Sequence, residues 1–89
     1  MIKHYNINIY GRVQGVAFRY FTKQKAIELR VSGFVKNMQD GSVYIEAEAE
    51  EEILDQFYLW CTKGPSSARV DKIIFSESNI SNFVDFKIK

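Results

Sequence analysis

The chain holds one cysteine and one histidine, lacks any long apolar run and carries almost no net charge, and each shortage excludes a class of protein. With Cys61 alone no internal disulfide can form, and an isolated thiol suits a reducing, cytoplasmic compartment. No stretch approaches the ~20 apolar residues of a membrane span, and the first residues lack the charged-then-apolar pattern of a signal peptide. A soluble, cytoplasmic protein with no membrane partner is expected. Twelve basic residues against eleven acidic ones leave a net charge of +1. A nucleic-acid binder draws its affinity from neutralising many phosphates and shows a basic stripe. The balance here suits one small anion and argues against a nucleic-acid partner. The lone His4 lies near the amino end and reads as a solvated strand-end residue.

What is present is enough for one core. Of 89 residues, 46% are hydrophobic and 15% aromatic, so a single domain over residues 1–89 needs no covalent staple. No apolar patch beyond the core stripes stands out, and a monomer is expected.

From His4 to Tyr10 the residues alternate, with Tyr5, Ile7 and Ile9 on one side and Asn6, Asn8 and Tyr10 on the other. That is the period of a half-buried strand. From Phe18 to about Leu29, Phe18, Thr22, Ala26 and Leu29 recur at three- and four-residue intervals, an amphipathic helix lying on a sheet. Ser32-Gly33 is expected to end it, with Phe34–Met38 as a second strand. Asp40-Gly41 is a hairpin signal that supplies positive φ. Val43, Ile45, Ala47 and Ala49 then alternate with Ser42, Tyr44, Glu46 and Glu48 as a third strand.

Five glutamates fall between positions 46 and 52. Without His or Cys partners they do not read as a metal site. Glu46 and Glu48 belong to a polar strand face, and Glu50, Glu51 and Glu52 open a second helix, where negative charge favours the dipole. Ile53, Leu54, Phe57, Trp60 and Cys61 form that helix's apolar stripe, which stops at Gly64-Pro65. Ala68–Phe75 is a fourth strand whose apolar positions, Val70, Ile73 and Phe75, change parity and imply a bulge. Ser76–Asn82 reads as a polar surface loop, and Phe83–Lys89 as a short last strand with Phe86 and Ile88 facing inward. The order β-α-β-β-α-β plus a terminal strand is the split β-α-β, ferredoxin-like arrangement. It is an α+β fold with two helices on one face of an antiparallel sheet, and its first and third strands are central neighbours. The fold alone names no function.

The chemistry concentrates in Gly11-Arg12-Val13-Gln14-Gly15-Val16-Ala17-Phe18-Arg19, which leaves the first strand and runs straight into the helix. Gly11 and Gly15 can bend this loop until its N–H groups face one spot, to which the helix N-terminus adds unpaired N–H groups and a positive dipole end. The segment reads as an anion cradle. Arg19 falls in the first helical turn, where its fork of donors reaches two phosphate oxygens at once. A cation there opposes the dipole unless an anion is near. Val13 to Arg19 has the length of the phosphate loop of cysteine phosphatases, but Val13 stands where their nucleophile would be. A phosphoryl group bound here would have to be attacked by something else, most simply water. The spacing matches neither the Rossmann nor the Walker fingerprint, and two glycines between a strand and a helix are common. Asn37 shares parity with Val35 and ends its strand near the cradle. Its amide suits orienting a water molecule, and equally suits capping the turn before Asp40-Gly41.

Gly11 to Arg19, followed by Gly33-Phe-Val-Lys-Asn37 and Asp40-Gly-Ser-Val43, resembles the acylphosphatase family, and the likeness extends to Ala68-Arg-Val70 and Phe86-Lys-Ile88. The resemblance implies metal-free, cofactor-free hydrolysis of an acyl phosphate to a carboxylate and inorganic phosphate. Val13, Gln14, Gly15, Val16, Ala17, Phe18 and Arg19 would hold the phosphate, Arg19 through its guanidinium, and Asn37 would orient the water. Inorganic phosphate or sulfate would bind as product-like ligands. Ala17 occupies a place where members vary among small residues, and Ile88-Lys89 replaces an arginine and a tyrosine found at the end of many members. A carboxylate leaves without needing much protonation, so a site with no His, Cys or metal suffices if charge and positioning are supplied. Two other readings compete: a non-catalytic anion sensor, and an RNA-binding module of the same fold. The second requires aromatics on the central strands, where the third strand offers only Tyr44 among glutamates.

Overall fold

In the computed structural model, which describes residues 1–89, the elements follow as β1 (Ile2–Arg12), α1 (Phe18–Leu29), β2 (Ser32–Asn37), β3 (Val43–Glu50), α2 (Glu51–Lys63), β4 (Arg69–Ser78) and β5 (Phe86–Ile88). One sheet of order β4-β1-β3-β2-β5 carries both helices on a single face, the expected ferredoxin-like α+β fold. β1 and β3 are the central antiparallel pair, in a register that runs from Ile2 opposite Glu50 to Ile9 opposite Val43.

The alternation builds the core directly. Tyr5, Ile7 and Ile9 of β1 and Val43, Ile45, Ala47 and Ala49 of β3 are buried against Phe18, Thr22 and Ala26 of α1 and Leu54, Phe57 and Cys61 of α2. Burial pushes the Cys61 thiol far above its ordinary range. No helix is long and apolar enough to cross a membrane.

Several boundaries differ from expectation for local reasons. α1 ends at Leu29 as expected, but the residue that terminates it is Arg30 and not Ser32-Gly33: Arg30 takes a left-handed turn (φ 62°) and the N–H of Val31 returns to Ala26 O at 2.8 Å. β2 therefore begins at Ser32. In the β2–β3 turn only Gly41 takes positive φ. The loop closes instead through Met38 N–H donating to Ser42 O at 2.8 Å and Ser42 N–H donating to the Asp40 carboxylate at 3.0 Å. The hydrogen bonds from the Ser42 hydroxyl and N–H hold the Asp40 carboxyl below its usual range. The expected bulge in β4 is present: Tyr10 faces Lys72 while Gly11 faces Val70, so Asp71 is the extra residue.

The sheet is mixed rather than antiparallel, because β5 pairs in parallel with β2 at the edge opposite β4. To reach that edge, residues 79–85 cross the face of the sheet that carries no helix. Phe83, expected in the last strand, lies in this crossing. Its ring stacks on His4 at 5.6 Å and meets the edge of Phe34 at 5.9 Å. The crossing overturns two readings made for that face. His4 is 1% exposed rather than solvated, and Glu48 is 4% exposed rather than part of an open polar face. Ile88 also departs from expectation: Phe86 is buried in the core, but Ile88 remains 42% exposed.

Candidate active site

The end of the sheet formed by the last residues of β1 and β2 and the start of β3 holds a cavity of about 210 Å³ lined by eight residues: Val13, Gly15, Ala17, Phe18, Arg19, Tyr20, Asn37 and Ile88. Arg19 from α1 and Asn37 from β2, eighteen positions apart in the chain, therefore border one space. A larger cavity of about 680 Å³ lies at the opposite end of the sheet, between Ile2, Leu29, Ile53 and Phe83, and contains no residue of the cradle.

The loop is shaped by residues in the left-handed region. Gly15 has φ 73° with nothing near the position a Cβ would take, and Ala17, the residue ahead of α1, has φ 62°. Gly11 does something other than bend the loop. It is still in β1, and a Cβ there would stand 2.2 Å from Arg69 O, so glycine is needed for β1 to close on the β4 bulge.

No N–H of Gln14, Gly15, Val16 or Ala17 donates to any group of the chain, and the first helical N–H with an intrachain acceptor is that of Phe21, bonded to Ala17 O at 3.1 Å. The Ala17 side chain cannot cap, and the first turn of α1 holds no acidic residue. Backbone donors left in this way at a helix start form a site for an anion. Arg19 adds a cation that has no side-chain carboxylate partner, its Nη1 donating to the main-chain O of Lys89 at 3.3 Å.

Two residues of the expected loop do not line the cavity. Val16 is half-buried against the core, with its carbonyl accepting from Ser67 Oγ at 2.7 Å. Gln14 turns its side chain away, towards the β2–β3 turn. Tyr20 lines the cavity although nothing in the sequence pointed to it, and so does Ile88, expected to face inward and set apart as a departure from the family's usual ending. Tyr20 is the next residue of the same helical turn, whereas Ile88 arrives only because β5 docks beside β2.

Residues 5–88 match the acylphosphatase family. The chain belongs to the acylphosphatase family. A member from Mannheimia succiniciproducens is 55% identical over 65 residues, 73% of this chain and 72% of that relative. One from Thermotoga petrophila is 44% identical over 88 residues, 99% of this chain and 98% of that one. The crystal structure of acylphosphatase from Bacillus subtilis superposes with a TM-score of 0.95 at 38% identity, covering 100% of this chain and 99% of that one. The chain is thus an enzyme with acylphosphatase activity, and the anion-sensor and RNA-module readings fall away.

Proposed function

We propose that the enzyme hydrolyses small acyl phosphates by holding the phosphoryl group between the N–H groups of the 13–19 loop, the start of α1 and the Arg19 guanidinium, while Asn37 orients the attacking water. The observation that carries this is the cavity shared by Arg19, Asn37 and a loop whose amides have no acceptor in the chain. Water attacks phosphorus in line as the bond to the acyl oxygen breaks. The carboxylate departs with the bonding pair, and the water's protons pass to solvent and phosphate. Charge spread over the equatorial phosphoryl oxygens is met by the amides and Arg19. Asn37 offers one acceptor to the water and one donor to a neighbouring oxygen.

Because the leaving group is a carboxylate, the reaction as proposed uses no metal and no cofactor. Inorganic phosphate and sulfate bind the same cradle as product-like ligands. The enzyme acts as a monomer and a single domain, and its buried free thiol at Cys61 suits the cytoplasm.

Two substitutions test the roles. Arg19→Gln should weaken inhibition by inorganic phosphate and lower kcat/KM at least about tenfold for each charged hydrogen bond lost. Asn37→Ala should leave phosphate inhibition nearly unchanged and lower kcat about a hundredfold. Full phosphate affinity in the first variant, or full kcat in the second, would remove that residue from its role.

A further inference from the structure

We infer that Gln14 is a positioning residue that fixes the distance between the phosphate loop and Asn37. This rests on the roles proposed for the loop and Asn37. The Gln14 side-chain nitrogen donates to Met38 O and to Ser42 O, each at 2.8 Å. An amide nitrogen has two hydrogens, and both are committed.

The two acceptors are the residues that close the β2–β3 turn. Met38 N–H donates to Ser42 O, Gly41 N–H donates to Met38 O at 3.2 Å, and the Asp40 carboxylate takes the Ser42 N–H and hydroxyl. Gln14 therefore grips a turn already braced from within. Asn37 immediately precedes Met38, and Gly15 immediately follows Gln14, so this side chain joins the two halves of the cavity wall.

The sheet topology shows why such a link is needed. β1, which delivers the loop, and β2, which delivers Asn37, are not neighbours; β3 lies between them. No ladder hydrogen bond ties the loop to Asn37 directly. In-line attack tolerates little error in placement, and a misplacement of about 1 Å costs roughly a hundredfold in rate. The Gln14 amide supplies across the sheet end the rigidity that a ladder would otherwise supply.

The test uses Gln14→Leu, which keeps similar bulk without donors, and Gln14→Glu, which sets a carboxylate against two carbonyls. Gln14→Leu should lower kcat on acetyl phosphate by about ten- to a hundredfold, with the inhibition constant of inorganic phosphate moved less than about threefold. In the Asn37→Ala background the same change should cost nothing further, because the group it positions is gone. Gln14→Glu should regain kcat as the pH falls through the titration of the introduced carboxyl, since a protonated carboxyl donates to one of the carbonyls. The parent and Gln14→Leu share Asp40, the titratable side chain of the turn, and their profiles subtract its contribution. Losses from Gln14→Leu and Asn37→Ala that multiply independently would overturn the inference alone, as would a phosphate constant that weakens as much as kcat falls. An unchanged kcat in Asn37→Ala by itself would overturn the reading on which the inference stands. Should Gln14→Leu fail to fold, the acid recovery of Gln14→Glu decides, and its absence counts against the inference.

Discussion

His4 Nδ1 and Glu48 Oε2 lie 2.6 Å apart on the sheet face that carries no helix, both side chains almost fully buried. Around them, His4 Nε2 is 3.0 Å from both Asn6 Oδ1 and Glu46 Oε1, and the two Glu48 oxygens accept the backbone N–H groups of Ser81 and Phe83. Glu48 is thus a clamp that holds the 79–85 crossing on the sheet.

Burial by itself would raise the Glu48 pKa, but the hydrogen bond to His4, the N–H groups of Ser81 and Phe83 and the charge of His4 outweigh it and hold the carboxyl below its usual range. A carboxyl depressed on folding contributes stability that is present above its unfolded pKa and lost as the pH falls through its folded pKa. Glu48→Gln should therefore destabilise the protein at neutral pH by about 2 kcal/mol in urea unfolding. The gap to the parent should close as the pH is lowered. Stability curves that stay parallel down to the acid limb would show that the clamp does not work through the carboxylate's charge.

Ala17 holds a left-handed conformation at φ 62° just ahead of α1. For an L-residue this costs about 1–2 kcal/mol, while glycine gives back about 0.4–1 kcal/mol through the freedom of its unfolded chain. Ala17→Gly should be neutral to mildly stabilising in thermal melts. Ala17→Val, with a branched Cβ in the same place, should both destabilise and raise KM, because the loop amides beside it would turn. A valine variant that melts and turns over like the parent would mean that the loop is not held in this shape.

The cavity contains no His, Cys or carboxylate to protonate a poor leaving group. A positioned general acid contributes roughly 10²–10⁴-fold, so a phosphate monoester with an alkoxide leaving group should trail acetyl phosphate in kcat/KM by at least that margin. The ratio should persist in the presence of a chelator. Comparable turnover of the monoester, or loss of acyl phosphate hydrolysis with the chelator, would contradict a mechanism built on Arg19, the loop and Asn37 alone.

Where the information was local, the chain could be read without its fold. The alternation of Tyr5, Ile7 and Ile9, the Phe18-Thr22-Ala26 stripe and the parity change at Val70 and Ile73 follow from periods of two and 3.6 residues. The shape of the 13–19 loop was legible for the same reason: the left-handed Gly15 and the helix start that carries Arg19 are contiguous in the chain. Asn37 was half-legible. Its parity placed it near the cradle, and the shared cavity brings it there.

The amino-acid order by itself determined most of the strand and helix pattern, most of the core and the two-glycine loop that leads into α1, because backbone propensity and hydrophobic spacing act over a few residues at a time. Only the tertiary structure decided what lies under the 79–85 crossing, where Gln14 directs its amide and how Ile88 reaches the cavity. Each of those depends on chain segments 24 or more positions apart meeting in space. Solvent exposure in particular is not a property of a strand face: Glu48 and His4 are polar at the expected positions and buried nonetheless, because a later segment that must cross to the far edge of the sheet lies over them.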